Sequence, residues 1–188
     1  MQFKFLAVAS IALSTAGPVA ALPAGVTVNA NAIVKTAVDL SSLTTKTVDL
    51  LKTANTGNIL SVLPKVTANI KSITKTAQDS VKAIQSSADP KFAANVQYDI
   101  CKTYNSLIKV EKSLAQSLID QKSLVTPILA LPLNLALAPI KGALSDLTKT
   151  VGGLVPVCNV DLKTNQKTLD DLLAKVNSLY NILKLIGF

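Results

Sequence analysis

The chain has 188 residues and a formal charge of +8; 49% of it is hydrophobic, but only 4% is aromatic and there is no Trp. There is also no His, every basic residue is Lys, and the only Glu is Glu111. These gaps exclude Ser-His-Asp and Cys-His catalysis and most zinc sites. They also argue against a nucleic-acid partner, whose recognition draws on Arg forks and stacking aromatics.

Met1 to Ala21 carries one basic residue, Lys4, then the apolar run Phe5 to Leu13, and ends in Val19-Ala20-Ala21. This pattern predicts a secretory signal peptide over residues 1–21, cleaved after Ala21. Residues 22–188 then form one domain, since no linker is long enough to divide them. Secretion places Cys101 and Cys158 in an oxidising compartment, so they are expected to form one disulfide, worth about 4 kcal/mol for so long a loop. The lysines are spread along the chain. They read mainly as a solvated surface, with attraction to anionic lipids or wall polysaccharide as the functional alternative.

After a loose leader from Leu22 to Asn31, Ile33, Ala37, Leu40, Thr44, Thr47 and Leu51 recur at four-and-three spacing, as on one face of a helix. Asn55-Thr56-Gly57-Asn58 reads as a turn. A second helix carries Val66, Ile70, Ile73, Ala77, Val81 and Ile84, with Pro64 in its first turn and Ile59 to Leu63 leading in. Asp89-Pro90 is a start signal for a long third helix with the stripe Ala93, Val96, Ile100, Tyr104, Leu107, Glu111, Leu114 and Leu118. Glu111 interrupts this face: it is either a buried acid paired with a lysine or, as is preferred because an unpaired buried carboxylate is costly, the helix drifts and Val110 takes the inner place.

Thr126-Pro127 ends the third helix, and Ile128 to Leu131 reads as a connection. Leu133, Leu137, Ile140, Leu144, Leu147 and Val151 then form a fourth stripe, with Pro139 kinking the helix or resetting its start and Gly152-Gly153 stopping it. Asn159 is placed as the cap of a fifth helix with the stripe Leu162, Gln166, Leu169, Leu173, Val176, Tyr180 and Leu183. Asp170 and Asp171 are adjacent, so on a helix they diverge and form no acid pair. The fold expected is all-α: a single antiparallel bundle of about five amphipathic helices with one disulfide.

The segment Leu124 to Leu137 is richer in leucine than one helical face can hide, since Leu135 points away from Leu133 and Leu137. Flanking helices, an internal apolar cavity or an exposed patch would each account for it. Leu124, Ile128, Leu131, Leu133, Leu135, Leu137, Ile140 and Leu144 are therefore the candidate ligand-binding residues, and Leu135, Leu131 and Ile128 are the ones left without a simple structural place. Neither catalytic residues nor a metal or other cofactor is predicted.

The signal peptide and the stretches VTVNANAIVKTAVDLSSLTTKTVDLL, LIDQKSLV, IKGALSDLTKTV and LKTNQKTLDDLLAKVNSLY resemble the fungal hydrophobic surface-binding protein A family, which includes cell-wall galactomannoproteins. The resemblance covers most of the chain beyond the signal and carries no site motif. It implies a secreted, non-enzymatic protein that adsorbs to hydrophobic surfaces or holds lipid or fatty acid in a helical bundle. The competing expectation is a cell-wall structural protein or secreted effector with a dry core, meeting wall polysaccharide or another partner through its Lys-rich surface.

Overall fold

The computed structural model describes residues 29–87 and 91–181. The expected signal peptide, most of the leader, the Asp89-Pro90 start signal and Leu183 lie outside the described residues. Among the described residues six α-helices make five rods: α1 Ala30–Lys52, α2 Ile59–Gln85, α3 Ala94–Asp120, a fourth rod in two pieces (α4 Pro127–Leu137 and α5 Ile140–Leu154), and α6 Asn159–Tyr180. The expected helical bundle with a Cys101–Cys158 disulfide is what is found.

Asn29 caps α1, its side chain accepting from the Ala32 amide at 2.9 Å, so the helix begins in what the sequence reads as leader. The α1 stripe from Ile33 to Leu51 is buried throughout. Thr36 and Thr47 can sit there because their hydroxyls donate to the carbonyls of Ala32 and Leu43 one turn back, which satisfies a polar group without a second helix. The turn into α2 is closed by its asparagines: Asn58 Oδ1 accepts from the Asn55 amide at 2.8 Å, and Asn58 Nδ2 donates to the Thr53 carbonyl at 2.9 Å.

The prolines depart from expectation twice. α2 starts at Ile59, so Pro64 lies inside the helix and not in its first turn. Ile59, Val62 and Leu63 reach the core alongside Val66 only if they are helical, and their burial outweighs one lost backbone bond. Pro127 does not merely precede a connection. It occupies the first position of α4, where its fixed φ favours a helix, and Ile128 to Leu131 are helical. Pro139 resets the start, with α5 running from Ile140.

Three smaller readings change. Gly152-Gly153 does not stop α5, which continues to Leu154; a Cβ at Gly152 would lie 2.8 Å from Asn159 Oδ1, so this glycine allows α6 to approach. Asn159 is helical and makes no capping bond; Cys158 occupies the cap position. Ala93 is exposed and lies outside the core.

Successive rods alternate in direction. The rods form a ring in which α1 neighbours α3, α3 neighbours α6, α6 neighbours α5, α5 neighbours α2 and α2 neighbours α1, while α4 packs on α2 and α6. Ring neighbours α3 and α6 run the same way. Cys101 and Cys158 join them near one end, with Cα atoms 6.2 Å apart, and the Tyr180 hydroxyl donates to the Leu118 carbonyl at 2.7 Å near the other. α2 and the fourth rod are likewise parallel, since Leu63 and Thr67 lie by Leu129, whereas Lys82 and Gln85 lie by Gly142 and Asp146.

Candidate interaction site

The eight residues singled out from the sequence separate into two sets. Leu133, Leu137, Ile140 and Leu144 belong to the core, each at most 2% exposed, and Leu124 is half-buried against it. Ile128, Leu131 and Leu135 are 87%, 52% and 65% exposed. Their i, i+3, i+7 spacing puts them on one outward stripe of α4, about 10 Å long. α4 can bury only one face, because the ring lies on one side of it; Ala130, Leu133, Ala136 and Leu137 take that face.

The partner of this stripe comes from a distant part of the sequence. Between α2 and α4 runs an open groove of about 280 Å³, lined by Leu63, Pro64, Thr67, Ala68, Lys71, Leu129 and Pro132. Its lining is apolar except for Thr67, whose buried hydroxyl makes no hydrogen bond within the protein, and the ammonium of Lys71. Leu60, 73% exposed, lies one helical turn before Pro64 on the same side of α2. Its signal in the sequence was present but faint: a leucine just after a turn, off the stripe of Val66 and Ile70.

Charge is distributed unevenly around this flank. Residues 50–78 contain Lys52, Lys65, Lys71 and Lys75 and no acid; residues 121–145 contain Lys122 and Lys141 and no acid. Six lysines therefore lie on these two segments, which border the groove and run past it into α1 and α5. All but Lys141 are exposed, and only Lys75 is ion-paired among the described residues, with Asp79 at the border of the segment. The lysines themselves are evenly spread, as the sequence reading had it; the acids are not. On the α6 flank both signs occur, with Asp171 paired to Lys167 at 3.1 Å and Lys175 nearby.

No protein-family model matches the chain, and no curated protein matches it in sequence.

A larger, more polar cleft of about 730 Å³ lies between α2 and the fourth rod, lined by residues that include Gln78, Lys82, Gln85, Asp146 and Lys149. Lys82 of α2 and both Asp146 and Lys149 of α5 line it, so it has no single sign. Asp170 and Asp171 diverge as expected: Asp170 accepts from Gln166 at 2.8 Å and Asp171 pairs with Lys167.

Inside the ring, the expectation for Glu111 is overturned. Glu111 is 3% exposed while Val110 is only half-buried, so α3 keeps its register and does not drift. Burial pushes the carboxyl up to about 8, which keeps it neutral over most of the physiological range and lowers the cost that argued against the placement. Glu111 Oε1, Tyr104 OH and Thr44 Oγ1 are all buried without a hydrogen bond within the protein. Tyr104 is pushed well above the ordinary phenol range, by burial and then by the Glu111 charge. Tyr180 is pushed up to about 12 by burial. The other buried polar pair is satisfied: the Thr148 hydroxyl donates to Gln166 Oε1 at 2.7 Å.

Proposed function

We propose that this is a secreted, non-enzymatic protein that adsorbs to hydrophobic or lipid surfaces through the outward stripe of α4 and the adjoining α2–α4 groove. The observation that carries the reading is the exposure of Ile128, Leu131 and Leu135 on a single helical stripe beside an apolar groove. Scattered exposed leucines are ordinary on a protein surface, but an aligned set next to an apolar furrow is the mark of an interaction surface. The patch form is favoured over an internal cavity because the residues that would line a cavity, Leu133, Leu137, Ile140 and Leu144, are packed in the core.

Two further features support the reading. The disulfide fits an oxidising, extracellular setting, and a chain without His lacks the commonest general base. The reading agrees with what the resemblance to fungal surface-binding and cell-wall proteins implies. The stretch Ile128–Leu154 is long and apolar enough to cross a membrane. Its α5 half, however, carries Lys141, Asp146 and Lys149 and packs against α2 and α6, which supports a rod that lies on a surface over one that spans a bilayer.

Depletion from solution by polystyrene or wax beads tests this. Wild-type protein is expected to be depleted, and the double substitution Leu131→Ser with Leu135→Ser to remain in solution with its helical circular dichroism intact. Equal depletion of both proteins would reject the stripe, and failure of the wild type to adsorb would reject the function.

A further inference from the structure

We infer that the α2–α4 flank docks side-on onto an anionic lipid bilayer, with Ile128, Leu131 and Leu135 entering the interface and Lys65, Lys71 and Lys122 facing the headgroup phosphates. This rests on the adsorption reading and names its target. Three observations select an anionic bilayer over a neutral apolar surface. The apolar stripe is small, three large side chains in one row along α4, which suits shallow insertion at the headgroup–acyl boundary. The segments framing it hold six lysines and no acid, whereas a merely greasy target would exert no pull on charge. Lys71 also stands in the wall of the apolar groove itself with no ion-pair partner among the described residues, so cation and acyl-sized furrow are continuous.

The geometry dictates the side-on pose. The stripe runs lengthwise along α4 on the flank of the bundle, not at its tip. On α2, Leu60, Pro64 and Lys71 follow one another at helical repeat on the side that faces α4. Lys122 lies in the 3₁₀ turn Gln121–Leu124, two residues short of α4, and Lys65, next to Pro64, is turned about 100° from it round α2 and is exposed. A polar face rich in lysine beside an exposed apolar stripe is the pattern of an interfacial helix, here built from two helices. Long-range attraction supplies the encounter, and shallow insertion holds the complex.

The test is sedimentation with vesicles of phosphatidylcholine alone and of phosphatidylcholine with about 30% phosphatidylserine, at low salt and at about 0.5 M salt. Binding is expected to the anionic vesicles at low salt, with neutral vesicles and high salt each weakening it at least about ten-fold. Each lysine near such a surface contributes about five-fold in affinity. The triple substitution Lys65→Gln, Lys71→Gln, Lys122→Gln should thus weaken vesicle binding by about 100-fold. A control triple on the far side, Lys102→Gln, Lys109→Gln, Lys163→Gln, removes the same net charge and should weaken binding far less. Equal binding to both vesicle types, or equal losses in the two triples, would overturn the inference. So would absence of vesicle binding by a protein that still coats polystyrene, and that result would leave the adsorption reading standing; loss of both activities would overturn both.

Discussion

Glu111 is the residue whose environment has the largest consequence for stability. Released near 4.5 in a free side chain and held to about 8 in the bundle, its proton binds more tightly to the folded state. The contribution of this group is fully present below about 4.5, is lost as pH rises to about 8, and is flat beyond. The total is at most about 5 kcal/mol. Among the described residues no charged side chain offsets it. The inward residues of α1 near its level are Thr44 and Thr47, those of α6 are Gln166 and Leu169, and the charged groups of both helices are exposed or half-buried; Lys112, beside it on α3, donates to Asn165 on α6 at 3.3 Å. Glu111→Gln, neutral at every pH, is therefore expected to abolish most of the fall in urea midpoint between pH 5 and pH 8 and to be the more stable protein at pH 9. Parallel curves for the two proteins would contradict this assignment. The sequence did show the carboxyl on the inner stripe, at i+7 from Tyr104. The cost that argues against this placement is that of an unpaired charged carboxylate, and burial removes the charge.

At the scale of the helix, what was legible was whatever rests on spacing alone. The stripes of α1 and of the fourth rod were read residue for residue, since an apolar face at four-and-three intervals has few other ways to be buried. Prolines were harder because each has two meanings. Pro127 both ends one helix and starts the next, and the connection expected at Ile128–Leu131 is helix because Ala130 and Leu133 must share a face. The candidate site was half legible. Surplus leucine pointed to Ile128, Leu131 and Leu135, but their neighbours Leu60, Thr67 and Lys71 come from a helix some sixty residues earlier, and only packing brings them together. A glycine offers a direct check of helix energetics. Gly142 lies within α5 with nothing within 4 Å of a Cβ built there, so Gly142→Ala is expected to stabilise the protein by about 0.5–1 kcal/mol. A decrease in thermal midpoint would show that the start of α5 is strained in a way the backbone does not reveal.

For the whole molecule, the ring of five rods explains why an apolar chain leaves part of itself outside. α1, α2, α3, α5 and α6 close on one another, and α4, lying over α2 and α6, has one face to bury and one to present. The disulfide ties α3 to the start of α6 near the opposite end of the bundle, so the flank with α4 is free to engage a surface without opening the core. Charge follows the same division in part, with Lys71 in the groove wall and Lys65 and Lys122 exposed on the segments beside it. Because the chain has no Trp, one introduced indole reports on one place. Leu131→Trp, in the stripe, and Tyr98→Trp, exposed near the disulfide end, should be compared by fluorescence as polystyrene nanoparticles are added. Emission from position 131 is expected to shift to the blue and become shielded from aqueous quencher, while emission from position 98 stays unchanged. A shift at 98 with none at 131, or none at either while the protein adsorbs, would contradict the assignment of the α4 flank as the binding surface.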